Sequence, residues 1–253
     1  MKKKGFVHLN RQEIYYEHYL HEATDVHTVV LLHEGLGSVE LWKLFPQEIF
    51  VKSGLNVLVY DRSGYGKSSE APNYYPTDYL RFEAEVVLPQ LLNSLSISKC
   101  HLLGHSDGGT IALLYAAKYP AQTISVISEA AHVVIEEISR NGIAAIKEQY
   151  NIKFQKALQK YHGKKADWVF YHWADTWLNE AFYHWNMIAE LKQIQCPVLA
   201  IQGVDDEYGS KLQLDLIEEW CGGQIYLIPD CGHVPHFQKK EEVLELVLGF
   251  LEA

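Results

Sequence analysis

The stretch GHSDGG, residues 104 to 109, decides how the rest of this chain reads. It follows the apolar run KCHLL at 99–103 and precedes TIALLYAAKY at 110–119, whose pattern is helical. Ser106 therefore sits where a strand turns sharply into a helix, the setting of a nucleophile elbow. So tight a turn needs small residues two positions either side of the serine, and Gly104 and Gly108 stand there. The helix start turns free N–H groups and the positive end of a dipole toward developing negative charge. The N–H of Asp107, directly after the serine, is the expected oxyanion donor. The plainer reading, a glycine-rich helix start without chemistry, is less favoured in this strand-to-helix context.

A serine hydroxyl is a weak nucleophile until a base takes its proton. Asp230-Cys231-Gly232-His233 lies between the last predicted strand and the last predicted helix, where a loop histidine can swing over the strand tips. His233 is the expected base and His236 the second candidate. An acid must then hold the imidazole tautomer and stabilise the imidazolium. CPVLAIQGVDDEYG, 196–209, offers Asp205 and Asp206 directly after a strand-like run. Cys231 has no elbow of its own and reads as a packing cysteine.

Short apolar runs alternate with helix-length segments along the chain. Strands are predicted at 28–32, 56–60, 99–104, 123–128, 197–202 and 224–228, and helices at 39–52, 78–94, 107–119, 210–220 and 239–251. Such alternation predicts an α/β fold, a mostly parallel central sheet with helices on both faces. Before it, 5–9 and 13–19 read as an antiparallel hairpin around Asn10-Arg11-Gln12. From His132 to Leu191 no strand is evident and aromatics are frequent. A structureless loop of that length is improbable in a compact domain. The segment 132–191 is therefore expected to be a helical cap, or lid, inserted after the strand at 123–128, with 1–131 and 192–253 forming the core. FYHW occurs at 170–173 and again at 182–185, and two copies of four residues do not establish a repeat.

The 253 residues are 48% hydrophobic and 21% charged, ordinary for a globular protein. A net charge of -10 without a basic stripe argues against a nucleic-acid partner. No apolar run reaches membrane-spanning length, and MKKKG lacks the apolar stretch of a signal peptide. Cys100, Cys196, Cys221 and Cys231 stand apart without a CxxC, which points to a reducing cytoplasm. The 13 histidines show no HExxH or comparable spacing, so neither a metal nor another cofactor is expected. The expected partner is a small molecule, with the protein a monomer or homodimer.

Taken together, HEGLGS at 33–38, DRSGYGKSS at 61–69, GHSDGG, the GVDD loop and DCGH resemble the α/β-hydrolase fold family in its helical-cap branch. The resemblance covers nearly the whole chain. It implies the order nucleophile, acid, histidine: Ser106, an aspartate at 205–206, then His233. The family's G-x-x-D loop, counted from Gly203, gives Asp206. Some members carry the acid after an earlier strand, where this chain has Glu129, so Glu129 and Asp205 stay open beside Asp206. DRSGYGKSS is chiefly structural in the family, with Asp61 and Arg62 holding neighbouring loops. Members usually read His-Gly-x at the first loop, where the N–H of x meets the oxyanion, which makes Gly35 that donor.

Glu34 stands where the family has glycine. A carboxylate aimed at an oxyanion would repel it. The expectation is that Glu34 points away, to Arg62 or to backbone N–H groups. The alternative is that it faces the pocket and reads a hydroxyl or cation on the substrate. Glu129 is a possible pocket residue too.

The chemistry implied is hydrolysis of a small carboxylic ester, lactone or thioester through an acyl-enzyme on Ser106. The aromatic cap points to a partly apolar substrate. The same fold also includes carbon–carbon hydrolases, cofactor-free oxidoreductases, and ligand-binding or signalling modules with a slow triad, and these stand as alternatives.

Overall fold

The computed structural model describes residues 1–9, 11–23, 25–71 and 77–252. Its strands are β1 (Lys2–Leu9), β2 (Gln12–Tyr19), β3 (Thr28–Leu32), β4 (Asn56–Tyr60), β5 (Cys100–His105), β6 (Thr123–Glu129), β7 (Val198–Gly203) and β8 (Gln224–Ile228). They form one sheet in the order β1-β2-β4-β3-β5-β6-β7-β8. β1 and β2 pair antiparallel, as do β2 and β4, and every later pairing is parallel. This is the alpha/beta hydrolase fold.

Side chains alternate across a strand, so a strand covered on both faces must be apolar at every position. Val29 and Leu31 of β3 enter one hydrophobic core, and Val30 and Leu32 enter the other. Leu102 and Leu103 of β5 divide in the same way. β3 lies between β4 and β5, so the chain leaves β3 in one direction and returns past it for β5. Strand order reverses there, and the crevice beyond the strand ends is where such sheets bind ligands. HEGLGS and GHSDGG leave the sheet side by side, with Leu32 in register with Gly104.

The elbow depends on its glycines. A Cβ on Gly104 would lie 2.1 Å from the carbonyl oxygen of Gly108, and one on Gly108 would lie 1.9 Å from that of Leu32. Both obstacles are backbone and cannot rotate away. Gly108→Ala is expected to destabilise the protein by about 3 kcal/mol or more, the upper end for overpacking, as read by urea denaturation. A loss under about 1 kcal/mol would mean that β3 and the elbow can separate freely.

Several boundaries differ from those predicted. The helix expected at 39–52 is a 3-10 turn, Val39–Trp42, then an α-helix, Phe45–Ser53, with a break at Lys43. Lys43 has φ 53, a left-handed value no helix contains. The helix expected at 78–94 contains a π-turn, Glu83–Val87, ahead of Pro89. Proline has no N–H for the preceding turn, and the wider turn relieves its ring. β1 starts at Lys2, three residues earlier than expected, because its backbone pairs with β2 from Lys2 opposite Tyr19 onward. Asn10 of the expected hairpin turn lies outside the described residues.

Between β6 and β7 the chain is helical, with Glu137–Glu148, Ile152–His162, Ala166–Leu178 and Ile188–Leu191. The two FYHW copies differ in backbone: 170–173 lies within an α-helix, whereas 182–185 begins at the end of a 3-10 turn. In both copies the Phe and the Trp are buried.

Candidate active site

Ser106 occupies the elbow with φ 52 and ψ -118, a conformation that turns its side chain up from the strand end. Its Oγ lies 2.9 Å from His233 Nε2, and His233 Nδ1 lies 2.9 Å from Asp206 Oδ1. A carboxylate only accepts, so Nδ1 carries the ring proton and Nε2 is left to take one from the serine. Asp206 Oδ1 also accepts from the N–H of Tyr208 at 2.8 Å and of Gly209 at 3.2 Å. Burial works to raise the Asp206 carboxyl. The hydrogen bond and charge of His233 and the Tyr208 N–H outweigh it, so its pKa lies below the ordinary value and it stays ionised.

The serine opens into a cavity of about 190 Å³. It is lined by Glu34, Gly35 and Leu36 of the first loop and by Ile143, Ile146, Trp173 and Trp177 from the helical segment. His132, Tyr208 and Val234 complete it beside His233. Trp173 closes directly over the first loop, where a Cβ on Gly35 would lie 2.3 Å from its indole ring. The lining is mainly apolar, with a few polar groups gathered at the serine.

A family model described as the alpha/beta hydrolase family matches residues 29–246. The chain belongs to the alpha/beta hydrolase family. Serine hydrolase BPHL of Homo sapiens is 28% identical over 246 residues, spanning 93% of this chain and 82% of that protein. The proline iminopeptidase of Lactobacillus delbrueckii subsp. bulgaricus is 24% identical over 269 residues, 91% of each chain. Among solved structures, the enol-lactonase from Burkholderia xenovorans LB400 superposes with a TM-score of 0.77 at 17% identity, covering 98% of this chain and 100% of that one. That likeness is one of fold.

In this alpha/beta hydrolase the three acid candidates lie in different places. Asp206 is the one bonded to His233. Asp205 is exposed. Glu129 is fully buried, and its Oε2 accepts from His236 Nδ1 at 2.8 Å and from the His236 N–H at 3.1 Å. Burial alone would lower the His236 pKa, but the Glu129 carboxylate outweighs it and raises it. Glu129 was also expected as a pocket residue. That is corrected, because its side chain is fully buried with Oε2 on His236 and does not line the cavity.

Of the partners expected for Glu34, Arg62 is corrected. Arg62 meets the Glu34 main-chain carbonyl, 2.8 Å from Nη2, and not its carboxylate. The carboxylate folds back over Gly37 toward His105, with Oε2 3.6 Å from Nδ1. It is 27% exposed and belongs to the cavity wall. Burial opposes its ionisation, but the neighbouring His105 and His33 rings and a backbone N–H bring its pKa down to about 2. His105 Nε2 in turn donates to the His233 carbonyl at 2.6 Å.

Asp61 fits the structural part expected of DRSGYGKSS. It accepts the N–H of Val39 at 2.7 Å and of Lys67 at 2.8 Å. Cys231 is buried, which pushes its thiol up to about 11 and keeps it protonated. Tyr208 and His132 were missed by sequence reasoning. Neither sits in a motif, and only the closing of their loops around His233 brings them to the cavity. Among the described residues, no group of three or more His, Cys, Asp or Glu is placed to hold a metal ion. No helix among them is long and apolar enough to cross a membrane.

Proposed function

We propose that this hydrolase cleaves small, partly apolar carboxylic esters, lactones or thioesters through an acyl-enzyme on Ser106. The observation that carries the reading is the unbroken chain Ser106 Oγ, His233, Asp206, with both links at 2.9 Å, opening into an apolar cavity. His233 Nε2 takes the serine proton as Oγ bonds to the substrate carbonyl carbon. The oxyanion is held by the N–H groups of Gly35 and Asp107. When the tetrahedral intermediate collapses, the leaving alcohol or thiol departs with the proton from His233. Water, deprotonated by the same histidine, then attacks the acyl group and releases the carboxylic acid. Residues 132–191 act as the lid, and Trp173, Trp177, Ile143 and Ile146 select the acyl or leaving group by shape. A fluorophosphonate probe with an ester, lactone and thioester panel tests this. The expected result is one adduct on Ser106 and turnover on the panel, and an unlabelled Ser106 would overturn the reading.

A second reading is favoured by Glu34, an ionised carboxylate in an otherwise apolar wall. It suits a substrate with a cationic amine near the scissile carbonyl, as an aminoacyl ester or amide has, and one relative is named an iminopeptidase. Glu34→Gln is expected to raise KM for an aminoacyl ester about tenfold, the effect of losing one charge-assisted hydrogen bond, and to leave the uncharged ester unchanged. Equal effects on both esters would remove the second reading.

A further inference from the structure

We infer that Arg62 is a positioning residue for the oxyanion site, acting on both halves of it at once. The inference rests on the serine-hydrolase reading, in which the N–H groups of Gly35 and Asp107 receive the oxyanion.

The Gly35 N–H and the Glu34 carbonyl are the two ends of one peptide unit. That carbonyl oxygen accepts three donors. Arg62 Nη2 lies at 2.8 Å, His33 Nδ1 at 2.8 Å and the Gly37 N–H at 3.0 Å. The His33 proton is placed by its other nitrogen, because Nε2 lies 3.1 Å from the Arg62 N–H, which can only donate. His33 is wholly enclosed, and burial, helped by the Arg62 charge, holds its pKa well below the ordinary value, so the ring is neutral. Nδ1 therefore carries the hydrogen. Donors on a carbonyl polarise the peptide and strengthen its N–H as a donor, since hydrogen bonds in series reinforce one another. They also fix the peptide plane, so the N–H needs no reorientation when charge develops.

The same Nη2 lies 3.4 Å from Asp107 Oδ2. That oxygen also accepts from Tyr79 Oη–H at 2.5 Å, and Tyr79 Oη accepts from Trp177 Nε1 at 3.0 Å. One guanidinium nitrogen thus ties the Glu34–Gly35 peptide to the residue that supplies the second donor. It also offsets the Asp107 carboxylate, whose charge would otherwise oppose an oxyanion formed on the same turn.

Arg62 is 1% exposed, and its Nε and Nη1 have no hydrogen-bond partner among the described residues. The ring of Tyr65, 4.5 Å from the guanidinium carbon, gives partial compensation. A buried cation with unsatisfied donors is a poor device for stability. Loop tethering is already provided by Asp61 and by Ser68, which bonds the Asp61 carbonyl at 2.6 Å and the Tyr15 N–H at 2.9 Å. What Arg62 adds is a charge at the oxyanion donors.

The test compares matched p-nitrophenyl oxo-esters and thionoesters. Sulfur accepts hydrogen bonds more weakly than oxygen, so the thionoester draws less on the oxyanion donors. The ratio of the two kcat/KM values therefore reads donor quality, and the fraction of active protein cancels from it. Arg62→Met is expected to lower oxo-ester kcat about tenfold with little change in KM, and to reduce the ratio by a similar factor, less than removal of a donor would cost. If that variant does not fold, Arg62→Lys keeps the charge but loses the fork, and the expected fall in the ratio is about threefold. An unchanged ratio in either folded variant would overturn the inference alone. A wild-type protein inactive on every ester would overturn the hydrolase reading and this inference with it.

Discussion

Ser106→Ala is expected to lower kcat on an ester by about a million-fold, leaving only what the oxyanion donors and the cavity contribute over water. The size follows from the loss of the attacking atom. Alanine removes Oγ, the hydroxyl that meets His233 Nε2 among the described residues. Cys231 precedes His233 by two residues, but its thiol is buried and held protonated. Fluorophosphonate labelling should vanish with turnover, while the urea midpoint stays near wild type, because the hydroxyl makes one hydrogen bond at a cavity wall. Retained labelling would place the nucleophile elsewhere.

Asp206→Asn is expected to cost about ten-thousandfold in kcat with the geometry intact. Asn can offer its amide to His233 Nδ1, which moves the ring proton to Nε2 and leaves no lone pair for the serine. It also removes the charge that stabilises the imidazolium. Glu129→Gln is the necessary contrast. Glu129 is bonded to His236, so kcat should stay near the wild-type value. Stability should fall by about 1–3 kcal/mol, because a buried, raised-pKa histidine loses its anionic partner. The reverse pattern, with turnover lost only in Glu129→Gln, would transfer the acid to the end of β6.

These two carboxylates illustrate how far the chain could be read unaided. The strands at the centre were legible because burial on both faces demands an uninterrupted apolar run, and Thr28–Leu32 and Asn56–Tyr60 carry one. The elbow was legible because its sterics act within five residues, and no side chain fits at Gly104 or Gly108. The interruptions at Lys43 and before Pro89 were not, since helical periodicity continues across a kink.

What the sequence by itself determined is therefore short in range: which runs become buried strands, where the strand-to-helix turn falls, and that Ser106 stands on it. Only the tertiary structure decided which carboxylate meets which histidine. Asp206 and His233 are 27 residues apart and Glu129 and His236 are 107 apart, and nothing in local pattern ranks these pairings. It likewise decided that Glu34 faces His105 in the cavity wall while Arg62 takes the Glu34 carbonyl. The reason is physical. Steric limits on the backbone are local, whereas the direction of a charged side chain is set by partners that arrive only when the sheet is assembled.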